Sequence, residues 1–254
     1  MTAILKDFAG EAAFALLRYY LIAGTAFFLF YRILSSSLHR NKIQERKADR
    51  KDFRREVLNS SASALILASI AVISCSKWVQ PYTLIYTDIS EYPIWWVPVS
   101  VALCLIIHDT YFYWMHRLMH HPAIFRHTHL LHHKSTNPTP LASYSFHILE
   151  AIAEGAIVLL LVFVLPLHPL SISLFALSSL LINVYGHLGY EIAPKWLRHS
   201  FLFEIINTST HHNLHHSKFK GNYGLYFRIW DRLMKTENPD YVKIYDQIQK
   251  KRFG

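Results

Sequence analysis

Nine histidines fall into four short patterns. "HRLMH" carries His116 and His120, "HTHLLHH" carries His129, His132 and His133, "NVYGHLGYE" carries His187, and "HHNLHH" carries His212, His215 and His216. At about 100° per residue, His116 and His120 stand about 40° apart on one helical face. The first, fourth and fifth positions of each HxxHH also share a face, so each such motif can offer three nitrogens to one small volume. Nine imidazoles exceed the demand of one tetrahedral or octahedral ion and suit two adjacent ions. Asp109 lies between His116 and His120 in azimuth, about two turns earlier. It is expected to accept a hydrogen bond from a ligand N–H and so fix its tautomer. Glu150 and Glu191 are candidates for the same part, with an ordinary place at a membrane interface as the alternative.

Imidazole suits zinc, copper, iron and nickel alike, so ligand type leaves the metal open. A zinc hydrolase needs three protein ligands and an activated water, which leaves most of the nine unused. Two redox-active ions beside a membrane point instead to dioxygen activation against a lipid C–H bond, which side chains alone cannot perform. The plain alternative is a solvated histidine-rich surface or a pH sensor. Repetition of the clusters at separate places on one side weighs against it. Of the seventeen histidines, His39, His168 and His199 read as amphipathic surface residues. His108, about 80° from His116, reads as packing or support, and His121, His127, His147 and His211 as flanking residues.

The elements that must position these residues are apolar. The chain has 254 residues, 52% hydrophobic and only 17% charged, low for a soluble domain. Crossing a hydrocarbon core of about 30 Å takes roughly 20 apolar residues. Five runs approach that length: 11–33, 61–78, 94–115, 148–165 and 170–188, the last two joined by "LPLHPL" in an expected helical hairpin. The net charge of +9 is not interleaved with aromatics as a nucleic-acid groove requires. It concentrates in a loop between the first two runs, where nine Lys or Arg stand against four Asp or Glu from Arg32 to Glu56. Such a loop marks a cytoplasmic side and meets anionic headgroups.

Counting crossings from that loop places every histidine cluster on the cytoplasmic side, although the histidines played no part in setting the topology. The expected fold is all-α: an integral membrane bundle of four or five spans with a cytoplasmic histidine-rich helical cap. Residues 1–60 form an N-terminal membrane helix and basic loop, and residues 61–254 a catalytic unit. The helices around 94–120 and 183–191 are expected to run past the membrane surface. The segment 238–254 reads as a short amphipathic or irregular tail. Cys75 and Cys104 sit inside apolar runs, so neither a disulfide framework nor a thiolate metal site is expected. The N-terminal stretch lacks a basic n-region and a cleavage site, so it is expected to stay in the mature protein.

"HRLMH", "HTHLLHH" and "HHNLHHSKFKGNYGLYFRIWDRLMKT" together resemble the fatty acid hydroxylase and sterol desaturase superfamily, with its HxxxH, HxxHH and HxxHH boxes. The surroundings "SFHILEAIAEG", "GHLGYE" and "NYG" followed by "WDRL" resemble it as well, across about residues 100–236. The resemblance implies a non-haem di-iron membrane oxygenase that hydroxylates or desaturates a sterol, acyl or alkyl lipid with dioxygen and two electrons. It implies His116, His120, His129, His132, His133, His187, His212, His215 and His216 as iron ligands. One departure is Asn183, which stands where some members carry a histidine four residues before His187. It is expected to ligate through its carbonyl oxygen, hydrogen-bond a bound water, or pack. Asn222, Tyr223 and Gly224 are expected to shape a turn, and Trp230 and Asp231 to anchor the cap.

No haem, GxGxxG or flavin-binding pattern occurs, so electrons are expected from a separate cytochrome b5- or ferredoxin-like carrier, drawn by the basic loop. Two other readings are an acyl-CoA-type desaturase and a non-catalytic membrane protein that binds or transports metal. The "NYG…WDRL" tail and the close spacing of the first two boxes argue against the former. Ionisable residues at span ends, not along them, argue against the latter.

Overall fold

The computed structural model describes residues 2–254. Its helices are α1 (Thr2–Tyr19), α2 (Thr25–Phe28), α3 (Arg50–Ser74), α4 (Trp96–Met119), α5 (Pro122–Thr128), α6 (Leu130–His133), α7 (Ile148–Val164), α8 (Pro169–Gly186), α9 (Ser209–Lys218), α10 (Ile229–Leu233) and α11 (Tyr241–Phe253). Two π-helical turns, Tyr20–Gly24 and Leu29–Ile33, carry α1 and α2 on as one rod. Among the described residues no strand forms, only three isolated bridges, so the chain is all-α as expected.

Among the described residues, four helices are long and apolar enough to cross a membrane: Leu5–Ile33, Arg50–Ser74, Trp96–Met119 and Pro169–Gly186. They mark an integral membrane protein, and large apolar side chains such as Leu17, Leu21 and Phe28 face outward along them. The expected span at 148–165 forms α7, but its 17 residues reach only about 26 Å at 1.5 Å per residue.

Three boundaries differ from the sequence expectation. Arg50, Lys51, Arg54 and Arg55 are not loop but the first turns of α3. The Asp49 carboxylate accepts from the Lys51 and Asp52 N–H groups at 2.7 and 2.8 Å, while the Asp52 carboxylate accepts from the Asp49 N–H. This capping box starts the helix ahead of its apolar run. At the same end of the bundle, α8 stops at Gly186 and does not run on to 191. Third, α7 packs chiefly against α3 and α8 chiefly against α4, so the turn between them does not close a tight hairpin. Residues of both helices instead line a cavity of about 960 Å³.

Small residues let the membrane helices approach: Ala12, Ala15 and Ala68 form the α1–α3 contact. Helices α4 and α8 end, and α3 and α7 begin, at one end of the bundle. There Glu56 near the start of α3 accepts from Ser135 Oγ at 2.8 Å and Thr139 Oγ1 at 2.5 Å, tying α3 to the loop after α6. The final helix α11 is the amphipathic alternative for the tail: Tyr241, Tyr245 and Ile248 are buried, the two tyrosines against Phe203 and Leu214.

Candidate metal centre

Each histidine motif sits where a helix ends or turns. His116 lies in the last turn of α4 and His120 at its C-cap. His129 joins α5 to α6, which carries His132 and His133, and His187 caps the C-terminus of α8. Helix α9 carries His212, His215 and His216 and is polar apart from Leu214, yet its first eight residues, Ser209 to His216, are all buried. Burying such a helix is unfavourable unless its polar groups find partners. Its N-terminus is held by Thr208 Oγ1, which accepts from the His211 N–H at 3.3 Å. Glu191 helps by accepting from the Thr210 N–H and hydroxyl at 3.1 and 2.7 Å.

The nine imidazoles form two groups, each with its ligand atoms within 4.8 Å of one another. One holds His116, His120, His129, His133 and His215, and the other His132, His187, His212 and His216. Each HxxHH motif is therefore divided, contrary to the expectation that it serves one volume. Adjacent residues on a helix point about 100° apart, so His132 and His133, and likewise His216 and His215, turn to opposite groups.

Hydrogen bonds at the outer nitrogens assign the tautomers. His116 Nδ1 donates to the Tyr223 carbonyl at 2.8 Å, His187 Nδ1 to the Asn183 carbonyl at 2.8 Å and His215 Nδ1 to the Gly221 carbonyl at 2.7 Å. His129 Nδ1 donates to Glu150 Oε1 at 2.6 Å. With Nδ1 protonated, Nε2 of each neutral ring is an acceptor aimed inward. His116 Nε2 and His129 Nε2 nevertheless lie 2.8 Å apart, two acceptors with no proton between them. In the second group His187 Nε2 lies 3.3 Å from that of His132 and 3.2 Å from those of His212 and His216.

Such crowding suits a cation. Two nitrogens each about 2.1 Å from one ion and at right angles stand about 3.0 Å apart. Burial also keeps these rings neutral, the ligating form. It pushes His187 and His215 down to about 4 and His120 to about 2. His129, His132, His133, His212 and His216 are held well below the ordinary value by burial first and neighbouring imidazoles second. The donor set thus fits two metal ions.

Several supporting residues stand elsewhere than expected. Asp109 hydrogen-bonds to none of the nine histidines: its Oδ1 accepts from the N–H groups of Leu225, Tyr226 and Phe227 at 3.2, 2.7 and 3.2 Å. Helical azimuth aimed it correctly, but a segment more than one hundred residues away occupies that side. Asn183 donates through Nδ2 to the Ser143 carbonyl at 2.7 Å, while its own carbonyl orients His187. Its side-chain N–H is thus engaged by the loop before α7, and the carbonyl that meets His187 is that of its backbone. Glu150 holds a histidine and Glu191 does not.

Asp231 accepts from the N–H groups of Tyr223 and Gly224 at 2.9 and 2.8 Å, and Trp230 Nε1 donates to Thr110 Oγ1 at 3.1 Å. Asn222 has φ 56 and Gly221 φ 78, the left-handed turn that aims the Gly221 and Tyr223 carbonyls at His215 and His116. The carbonyl anchors are not legible in the sequence, where "GNYG" signals a turn and part of the family resemblance.

His211 lies outside both groups, its ring edge against Tyr241. His121, His147 and His168 cap the starts of α5, α7 and α8 through Nδ1.

The cavity lined by α7 and α8 comes within one side chain of this centre. Phe146, on its wall, packs against the His132 ring at 5.3 Å between centroids, and Asn183 and Leu225 line the same end. From there it runs between α1, α3 and α8 to Cys75 and Trp78 at the far end of α3, past mainly apolar side chains.

Residues 101–236 match the family model described as fatty acid hydroxylase. The chain is 36% identical over 160 residues to lathosterol oxidase of Mus musculus, covering 61% of this chain and 51% of that protein. It is 31% identical over 174 residues to a Delta(7)-sterol 5(6)-desaturase of Gibberella zeae, covering 67% and 52%. Another Delta(7)-sterol 5(6)-desaturase, from Leptosphaeria maculans, is 28% identical over 235 residues, covering 92% and 60%. The chain spans about half the length of the first of these curated relatives. No solved structure matches it.

Proposed function

The chain belongs to the fatty acid hydroxylase family, and from that premise we propose that it is a dioxygen-dependent di-iron oxidoreductase that hydroxylates or desaturates a membrane lipid. The observation that carries this is the pair of neutral, inward-facing histidine groups at the end of an apolar cavity open to membrane helices. The names of the relatives put a sterol first among substrates, ahead of a fatty acyl or alkyl chain.

His116, His120, His129, His133 and His215 would hold one iron, and His132, His187, His212 and His216 the other. Held there, the two ions supply the activation of dioxygen that no side chain performs. The protein's own part is orientation and exclusion. The carbonyls of Tyr223, Asn183 and Gly221 and the Glu150 carboxylate keep protons on Nδ1, so that Nε2 stays free to ligate. The buried cap keeps water from the reacting carbon, and Phe146 shapes the approach beside His132.

Substrate enters from the bilayer between the helices. Two electrons come from a separate cytochrome b5- or ferredoxin-like carrier, drawn to the basic residues between Arg32 and Arg55. Those residues lie at the histidine end of the bundle, and a basic segment there supports a centre on the cytoplasmic face.

The test is a comparison of lipids, by mass spectrometry, between cells with and without the gene. One lipid class is expected to gain one oxygen or lose two hydrogens, in dependence on dioxygen. Identical lipid profiles, with the protein present and metal-loaded, would overturn the assignment.

A further inference from the structure

Two turns along α4 from His116, about 12 Å by helical rise, the cavity wall carries a polar pair that the metal groups do not use. His108 Nδ1 lies 2.8 Å from Tyr226 Oη, and His108 Nε2 lies 3.7 Å from Glu154 Oε2 on α7. That last distance is too long for a hydrogen bond. His108 Nε2 and Glu154 Oε1 are both buried without a hydrogen-bond partner. Their side chains are only 6% and 9% exposed, and both residues line the cavity among Phe175, Ile157 and Val158. Unpaired polar groups in an apolar wall are unfavourable, and native structures keep few of them.

We infer that His108 and Glu154 form a subsite for the hydroxyl group of a lipid, an assignment that rests on reading the cavity as the substrate site. Tyr226 Oη donating to His108 Nδ1 puts the ring proton on Nε2, facing the carboxylate across the gap. The pair thus presents one donor and one acceptor. A hydroxyl answers both: its oxygen accepts from Nε2–H and its hydrogen goes to Glu154, at ordinary distances of about 2.8 Å. A ketone has nothing to give Glu154, a carboxylate or phosphate meets its negative charge, and an ammonium finds no acceptor on Nε2–H. Because the pair stands on rigid helices at a set depth below the histidines, the hydroxyl fixes which part of the lipid lies beside the metal groups. Removing the pair leaves the cavity apolar and the lipid free to slide.

The experiment uses the full chain purified in detergent and two probe pairs, octadecan-1-ol against octadecane and cholest-7-en-3β-ol against cholest-7-ene. Equilibrium binding of each is measured, and iron content is determined on the same samples. The wild-type protein is expected to bind the alcohol of one pair about 10-fold or more tightly than its hydrocarbon, since a site built to pair a hydroxyl rejects the analogue lacking it. Which pair shows the preference tells a chain hydroxyl from a ring hydroxyl.

Glu154→Leu and His108→Phe are each expected to bring the ratio within about twofold by weakening the alcohol alone, with iron content unchanged. The two residues stand on different helices, so one variant reports if the other fails to fold. Equal binding of alcohol and hydrocarbon by the wild type in both pairs would overturn the inference, as would a preference kept in a folded variant. Binding requires neither metal nor turnover. Selective binding without any oxidised product would therefore sink the proposed function and leave the subsite standing, and product formed without selectivity would do the reverse.

Discussion

His132 and His133 are adjacent in sequence but serve different histidine groups: His132 Nε2 lies 3.3 Å from His187 Nε2, and His133 Nε2 lies 3.1 Å from His120 Nε2. Their removal is therefore not equivalent. His132→Ala leaves three imidazoles in its group, and His133→Ala leaves four. After dialysis against a chelator, His132→Ala is expected to retain about one metal ion per chain, while His133→Ala retains more, bound more weakly than in the wild type. Both are expected to lose turnover. Identical metal loss in the two variants, read by elemental analysis, would contradict the division into two groups.

Glu150 acts on the first group through one contact, its Oε1 accepting from His129 Nδ1 at 2.6 Å. Glu150→Ala is expected to lower metal affinity or turnover about 10- to 100-fold, the usual cost of losing a carboxylate behind a ligating histidine. Chelator competition measures it, and wild-type affinity in Glu150→Ala would show that the contact does not matter.

Asp109 holds three backbone N–H groups in the segment after the last box, so it affects stability before it affects metal. Asp109→Ala leaves those buried donors unpaired and is expected to cost on the order of 2–4 kcal/mol, with Asp109→Asn milder because its amide oxygen still accepts. Thermal denaturation in detergent checks the order. Equal melting temperatures for Asp109→Ala and the wild type would count against it.

Ala176 lines the cavity on α8, about 16 Å by helical rise from His187, and belongs to neither histidine group. Ala176→Trp fills the passage and is expected to abolish lipid turnover while leaving metal content unchanged, because the two depend on different parts of the molecule. Turnover unaffected by the larger side chain would separate the cavity from the substrate path.

Eight of the nine histidines were legible from spacing, because helical periodicity brings residues four apart to one face; His187, with Asn183 four residues before it, was marked by its surroundings, and the structure gathers all nine. The division of each HxxHH was legible from the same 100° turn, but attention to one shared face hid it. The partner of Asp109 was not legible. Azimuth says where a carboxylate points, and only the folded chain says that Tyr226, 117 residues later, meets it there. The same long-range folding supplies the Tyr223 carbonyl to His116, while a local turn supplies the Gly221 carbonyl to His215, and neither leaves a trace in side-chain identity. Apolar runs located the membrane helices, and the capping box at Asp49 and Asp52 was present in the sequence as the signal that α3 begins at Arg50.

Metal content of the purified wild-type chain tests the central claim most directly. Two histidine groups, with Nε2 lone pairs turned inward at His116, His129, His187 and His215, are expected to hold two iron ions per chain, with turnover rising only as the second is loaded. A fully active protein carrying one ion, or none, would contradict the account.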